Sequence, residues 1–255
     1  MRIVLLTALG VGGATIIGAL LGFLLKKPSH KFNDIVLSFA AGVMLAAAVI
    51  GLILPSLEYS TASAAITLLV TVAGVFCGAL CLNLVDKLVP HLHKLTGIEG
   101  ESHPQKSAQL NKVLLFVIAI AIHNLPEGIA AGVSFGTGDN LQALTVAGGI
   151  ALQNIPEGMV IIAPMLASGI KPGRTFIIAL MTGVVEVLGT LVGYFAVSIS
   201  TAILPFALAF AGGTMLYVIS DEMIPETHAH GNERGATYTL LGGFCLMLVF
   251  DFLLG

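Results

Sequence analysis

Two short motifs place metal-binding types of side chain inside apolar sequence. "HNLPEG" covers residues 123–128 and "QNIPEG" covers residues 153–158. Each combines a carboxylate, an amide and a proline, and the first adds an imidazole. Imidazole nitrogen with carboxylate and amide oxygens suits borderline ions such as zinc, ferrous iron, manganese and cobalt better than calcium. The motifs therefore predict a site for divalent metal.

The spacing within each motif puts its polar side chains on one face of a helix. His123 and Glu127 are at positions i and i+4, and Asn124 and Glu127 are at i and i+3. The same spacing aligns the polar side chains of the second motif, Gln153, Asn154 and Glu157. Because proline donates no backbone hydrogen bond, each helix should bend and free a carbonyl oxygen beside its glutamate.

The elements that carry these motifs are predicted to span a membrane. The 255 residues are 56% hydrophobic and 10% charged, whereas soluble domains average about 25% charged residues. A hydrocarbon core about 30 Å thick needs about 20 apolar residues per helix. Eight such segments predict an all-α polytopic membrane protein, at roughly 3–25, 35–55, 64–86, 113–135, 142–168, 174–199, 203–223 and 236–254.

The basic residues predict the orientation. Lys26 and Lys27 follow the first apolar segment instead of preceding it, which favours a retained helix over a secretory signal. With both termini outside the cytoplasm, only Arg2 of the 11 Lys and Arg residues lies outside. We therefore predict one transmembrane transporter domain over 1–255, in the plasma or inner membrane, with a cytoplasmic loop at about 88–111.

Depth and charge indicate what the motifs bind. Counting from the helix ends places His123, Gln153 and Glu186 near the middle of the bilayer. An ionised carboxylate there costs about 2.5–3.5 kcal/mol, so these glutamates must be protonated, paired with cations or bound to metal. No Lys or Arg lies at that depth in any predicted segment. Divalent metal, alternating with protons, is the remaining counterion.

The opposite directions of the two motif helices support the prediction of a metal site. The two motifs lie on consecutive helices that run in opposite directions, and proline-interrupted helices of this kind indicate a transporter's binding site. "HNLPEG" followed by "QNIPEG", eight spans and a histidine-bearing loop after the third span resemble the ZIP (Zrt- and Irt-like) divalent metal transporters, particularly their bacterial GufA-like branch. The resemblance covers essentially the whole chain.

The resemblance implies the architecture and the activity. Helices 1–3 and 6–8 would form an inverted repeat around helices 4 and 5, usually in a homodimer within the lipid bilayer. Zn²⁺ would be the transported substrate, moving into the cytoplasm with one or two ions at the midplane site. Cd²⁺, Fe²⁺, Mn²⁺ or Co²⁺ are further expected substrates. Neither an enzymatic activity nor a nucleic-acid partner is expected.

The resemblance also implies two adjacent metal positions bridged by Glu127 and Glu157. Besides these two, the first would use His123, Gln153 and Met44, and the second would use Asn124, Asn154 and Glu186. Many relatives have His where Gln153 stands, and often Asp where Asn154 stands. On the release path Asp221 and Glu222 would carry metal, while Glu226, His228 and His230 are either further ligands or a solvated helix end.

Two features of the sequence stay open to different interpretations. The loop histidines, including His91 and His93, indicate either a solvated segment or a weak metal-collecting loop. Glycines at i and i+4 predict close helix packing at four places, Gly18 and Gly22, Gly74 and Gly78, Gly128 and Gly132, and Gly189 and Gly193.

Two other function classes compete with metal transport. An intramembrane metalloprotease needs a pattern such as H-E-x-x-H, which the sequence lacks. A proton-coupled carrier of an organic solute would use the glutamates as a proton relay, and its binding would not respond to a chelator.

Overall fold

The computed structural model describes residues 1–25, 28–59, 63–95, 122–167 and 169–254. These residues form long helices and contain no strand. In chain order the helices are α1 (Arg2–Leu24), α2 (His30–Glu58), α3 (Ala64–Leu95), α4 (122–134), α5 (Asn140–Ala167), α6 (Pro172–Ile199), α7 (Thr201–Thr227) and α8 (Glu233–Leu254). Within the described residues, all except α4 are long and apolar enough to cross a membrane. The rest of the predicted fourth span, 113–121, lies outside the described residues.

Short polar side chains cap the starts of two helices. The Ser29 hydroxyl accepts a hydrogen bond from the backbone N–H of Phe32 at 3.2 Å and thereby caps the start of α2. The Asp139 carboxylate accepts from the N–H of Leu141 at 2.9 Å and so caps α5. Gly138, at φ 80°, makes the left-handed turn between α4 and α5.

Helices α2 and α7 each contain a wide π-turn near one end. In α2 this turn spans Val49–Ile53 and is followed by Pro55. In α7 it spans Ile219–Met223 and is followed by Pro225. Such turns often occur at functional sites, and the second one carries the predicted release-path acids. The sequence predicted both helices too short, because an apolar window leaves out the polar residues at their ends.

The predicted loop at 88–111 begins too early. Helix α3 continues to Leu95, so His91 and His93 lie on the last turns of this helix. Their side chains lie outside what the structure describes. An apolar window detects only the part of a helix that is buried in the membrane, whereas leucine and lysine extend a helix readily beyond it.

Glycines bring the helices into backbone contact, as predicted. A Cβ atom on Gly18 of α1 would lie 2.1 Å from the carbonyl oxygen of Ile155 in α5, and one on Gly189 of α6 would lie 2.6 Å from that of Leu125 in α4. Helix α1 thus packs on α5 in the way that α6 packs on α4. The hydrophobic effect does not drive helix association in lipid. Close backbone packing at small residues stabilises these helix pairs instead.

The remaining helices pair in a similar way. Helix α2 packs mainly against α8, and α3 packs mainly against α7. Gly42 of α2 approaches the carbonyl of Leu240 in α8, and Gly78 of α3 approaches the carbonyl of Phe210 in α7. Many large apolar side chains on the outside of α1, α3, α6 and α8 remain exposed, as expected for surfaces that face lipid.

Candidate metal site

The polar faces of α4, α5 and α6 meet in the interior. Glu127, Asn154 and Glu186 are fully buried, and so is Gln153. His123 is 12% exposed. Glu127 and Glu157 line the same cavity, so the two motif glutamates face a common region. The motifs therefore converge, although they lie on separate helices.

Glu186 is held by three hydrogen-bond donors from three helices. Its Oε1 accepts from the Thr15 hydroxyl of α1 at 2.7 Å and from the side-chain amide of Asn124 in α4. Its Oε2 accepts from the Asn154 amide of α5 at 2.8 Å. The second N–H of Asn154 donates to the backbone carbonyl of Val11 at 3.3 Å. Both carboxylate oxygens of Glu186 are thus satisfied within the protein.

The other buried polar groups are left without such partners. Among the described residues, both carboxylate oxygens of Glu127, Oε1 of Glu157 and the side-chain amide of Gln153 make no hydrogen bond of regular geometry. The amide oxygens of Asn124 and Asn154 also lack one. Buried acceptors are almost always satisfied in folded proteins. Oxygen atoms left free in this way are suited to binding a cation.

A cavity of about 660 Å³ leads to this region. The motif residues at its inner end are His123, Asn124, Glu127 and Glu157. Its outer part is lined by residues of α2 and α7 and of the turn after α7, among them His30, Asp34, Asp221, Glu222, Glu226 and His230. None of the described residues that line it is a Lys or an Arg. The polar groups that the described lining presents to an entering solute are therefore carboxylates, imidazoles and amides, set among apolar side chains.

His123 connects the inner end of the cavity to α7. Its Nε2 atom lies 2.7 Å from Oε1 of Glu222. As the side chains stand, no three His, Cys, Asp or Glu side chains among the described residues converge closely enough to hold one ion. The first predicted position is therefore not assembled as these side chains stand, and His123 contacts Glu222 of α7.

Four of the predicted ligands do not line the cavity. Gln153, Asn154, Glu186 and Met44 are all absent from its lining. Met44 is 1% exposed and packs in the apolar core. Each predicted position is consequently open to the cavity on one side only. The first reaches it through His123, the second through Asn124, and both through Glu127 and Glu157.

At the outer part of the cavity, Asp34 is buried under the turn after α7. Its carboxylate lies 2.9 Å from Nδ1 of His230 and accepts from the Asn232 amide at 3.0 Å. The rings of His30 and His230 stack with their centres 4.8 Å apart. His228 faces away from this cluster, because its ring nitrogens contact the carbonyl of Ile224 and the hydroxyl of Thr237.

Comparison with known proteins shows which family the chain belongs to. A family model described as "ZIP Zinc transporter" matches residues 90–251. The chain is a member of the ZIP family. This family consists of transporters rather than enzymes, as predicted.

Several ZIP relatives match nearly the whole chain. Zinc transporter GufA of Myxococcus xanthus is 43% identical, over 98% of both chains. Zinc transporter ZIPB of Bordetella bronchiseptica is 41% identical, over 95% of this chain and 78% of its own length. Zinc transporter ZupT of Chlorobaculum parvum is 33% identical, over 93% of this chain and 92% of its own.

The sequence analysis missed three residues in and around this candidate site, Thr15, His30 and Asp34. Thr15, which contacts Glu186, lies between Gly12 and Gly18, just as Glu186 lies between Gly183 and Gly189. This shared glycine spacing was the available signal. His30 and Asp34 are at positions i and i+4 at the start of α2, a spacing that places a histidine and an acid on one face.

Proposed function

We propose that this chain transports divalent metal, primarily Zn²⁺, across the cell membrane into the cytoplasm. The observation that carries the proposal is the set of carboxylate oxygens on Glu127 and Glu157 that make no hydrogen bond of regular geometry. They lie at the inner end of a cavity whose described lining includes His123 and contains no Lys or Arg. A buried carboxylate needs a proton or a cation, and the ligand types favour zinc-like ions. The relatives named as zinc transporters support the same substrate.

The proposed ligand sets follow the two predicted positions. His123, Glu127 and Glu157 would form the core of the first, completed by Gln153 and Met44. The second would add Asn124, Asn154 and Glu186 to the same two glutamates. Cd²⁺, Fe²⁺, Mn²⁺ and Co²⁺ would fit the same nitrogen and oxygen ligands. The site would lie near the middle of the membrane, because His123, Gln153 and Glu186 lie near the middle of the predicted spans 113–135, 142–168 and 174–199.

The release path would run from His123 to Glu222 and Asp221. The 2.7 Å contact between His123 and Glu222 would let the imidazole pass an ion from the motif glutamates to the acids of α7. His91 and His93 would extend the path on the cytoplasmic side.

We also propose one transmembrane domain over 1–255 with eight spans, both termini outside and a cytoplasmic connection between the third and fourth spans. The glycine contacts of α1 with α5 and of α6 with α4 are equivalent, and Thr15 and Glu186 stand at equivalent positions in α1 and α6, 171 residues apart. These equivalences support an inverted repeat of helices 1–3 and 6–8. The proposed assembly is a homodimer in the plasma or inner membrane.

The experiment that tests the function is metal flux into liposomes. The purified chain is reconstituted, and uptake of Zn²⁺, Cd²⁺, Mn²⁺, Fe²⁺ and Co²⁺ is compared with that of Mg²⁺ and Ca²⁺ and with protein-free liposomes. We expect saturable uptake of zinc and cadmium that external chelator abolishes. Absence of uptake for every metal, or solute binding that is insensitive to chelator, would instead favour a proton-coupled carrier.

Replacing His123 by alanine is expected to slow zinc uptake without abolishing it. The imidazole is one neutral ligand, and the two glutamates would still neutralise the ion. We expect initial uptake rates to fall by about 10- to 100-fold, which corresponds to a loss of about 1.4–2.8 kcal/mol for one ligand. His228→Ala provides a matched control, since this histidine faces away from the cavity; an equal loss in both variants would contradict the assignment of His123.

Zinc uptake is expected to fall as the external pH falls from about 8 to 5. Metal binds only deprotonated carboxylate and imidazole groups, so protons compete with it. The affinity of the site for zinc is therefore lost as the pH falls and is retained at high pH. Initial uptake rates at a limiting zinc concentration will measure this change. A pH profile that stays flat over this range would rule out proton competition at the site.

A further inference from the structure

We propose that a recess between the starts of α2 and α8 binds the headgroup of an anionic phospholipid. The recess has a volume of about 400 Å³, and its lining includes Lys31 and Ile35 of α2 and Glu233, Arg234 and Gly235 of α8. None of the described residues that line it also lines the metal cavity. The recess is therefore a separate site, and its ligand does not depend on metal transport.

The two helices that form the recess start at the same end of the bundle. Asn232, the residue before α8, donates a hydrogen bond to Asp34 near the start of α2 at 3.0 Å. Further along both helices, Gly243 of α8 packs on the backbone of Phe39 in α2. Helices α2 and α8 therefore lie side by side and run in the same direction, which brings their first turns together.

Each of these first turns contributes a basic side chain to the recess. Lys31 and Arg234 are each the second residue of their helix, and both are exposed. Within the described residues, neither of them forms an ion pair. Glu233 adds one negative charge to the lining, which leaves the recess with a net charge of +1. The single negative charge of a phosphodiester group would balance it.

The surface of α8 beside the recess is apolar and leaves room for an acyl chain. Tyr238 and Leu241, at positions i+4 and i+7 from Arg234, are 76% and 50% exposed. A Cβ atom on Gly235 or Gly242 would meet nothing within 4 Å, so the surface next to these two side chains is open. Tyrosine is typical of the boundary between membrane and water. A ligand that contacts both regions must join a charged group to an apolar chain.

An anionic phospholipid meets both requirements. On the proposed orientation α2 and α8 begin on the cytoplasmic side, where basic pockets between transmembrane helices bind lipid headgroups. The phosphate would accept charge-assisted hydrogen bonds from the ammonium of Lys31 and the guanidinium of Arg234. The acyl chain would lie along α8 beside Tyr238. The bound lipid would thereby connect the start of α2 to the start of α8.

Native mass spectrometry of the whole chain in neutral detergent tests the proposal. Phosphatidylglycerol is the anionic lipid, and phosphatidylcholine with the same acyl chains is the reference. We expect the parent to bind the first phosphatidylglycerol at least about tenfold more tightly than phosphatidylcholine. The double variant Lys31→Ala and Arg234→Ala should lose this preference. An unchanged preference in this variant, when it is folded, would overturn the proposal.

The matched control is the double variant Lys171→Ala and Arg174→Ala. It removes the same two charges from the start of α6, where both residues are exposed and neither lines the recess. We expect this control to keep the preference of the parent for phosphatidylglycerol. An equal loss in both double variants would mean that the lipid is attracted by surface charge alone, and that result would also overturn the proposal.

Two single variants test the recess if the double variant does not fold. Glu233→Gln removes the only acid of the described lining, so phosphatidylglycerol should bind about fivefold more tightly. Gly235→Leu keeps every charge but fills the recess, so it should abolish the preference for this lipid. An unchanged affinity in either folded variant would contradict the proposed site.

Soluble phosphate distinguishes a lipid site from a site for phosphate alone. Glycerol phosphate carries a similar charged group but no acyl chain. We expect a large molar excess of it to leave phosphatidylglycerol bound, because the acyl chain adds apolar contacts along α8. Displacement of the lipid by glycerol phosphate would show that the recess recognises only phosphate, and the lipid proposal would then be wrong.

Discussion

Replacing Glu127 or Glu157 by alanine is expected to abolish zinc uptake into liposomes while the protein remains folded. Both carboxylates line the inner end of the cavity, and each supplies half of the charge that balances the ion. Removing one partner of a buried charge pair costs about 3–5 kcal/mol, which is at least about a hundredfold in affinity. Initial uptake rates at a fixed zinc concentration, measured beside gel-filtration profiles, will check this result.

The matched control is Glu233→Ala. Glu233 is an exposed glutamate in the first turn of α8 and does not line the cavity. We expect uptake close to that of the parent. Normal zinc uptake by a well-folded Glu127→Ala protein would show that the motif glutamates are not the metal site.

Replacing Gly243 by alanine is expected to destabilise the helix bundle strongly, whereas the same change at the neighbouring Gly242 is not. A Cβ atom on Gly243 would lie 2.1 Å from the backbone carbonyl oxygen of Phe39 in α2, but one on Gly242 meets nothing within 4 Å. Forcing α2 and α8 apart should cost about 1–3 kcal/mol. At Gly242, alanine should be neutral or stabilising by up to about 1 kcal/mol through its helix propensity.

Thermal unfolding in detergent measures the two glycine variants side by side. The expected result is a clearly lower midpoint for Gly243→Ala and an equal or higher one for Gly242→Ala. Equal midpoints in the two variants would mean that α2 and α8 do not pack through this glycine.

The sequence predicted which side chains of one helix share a face of the site. It did not predict the contacts that other helices make with them. The spacing of His123 and Glu127 depends only on helix geometry, so their shared face could be predicted from one helix alone. How α1 and α6 are rotated about their axes depends on contacts between distant segments. The bond from Thr15 to Glu186 was therefore not predicted, although both residues sit between glycines at the same spacing.

Close helix packing could be predicted from glycine pairs within one helix. The ends of the helices could not be predicted in the same way. Pairs such as Gly128 and Gly132 marked close contacts that the structure confirms, because only small residues allow two backbones to approach. The ends of α2 and α3 depend on a capping hydroxyl at Ser29 and on polar turns beyond the membrane, which an apolar window does not detect.

The acidic lining of the cavity has an electrical consequence. Its carboxylates are fixed to the helices, so an ion released past Glu222 and Asp221 takes both of its positive charges with it. Each elementary charge that crosses the membrane gains about 2.3 kcal/mol per 100 mV, so a divalent ion gains about 4.6 kcal/mol. On the proposed orientation, an inside-negative membrane voltage would therefore drive uptake, and each proton moving outward in exchange would cancel half of that gain.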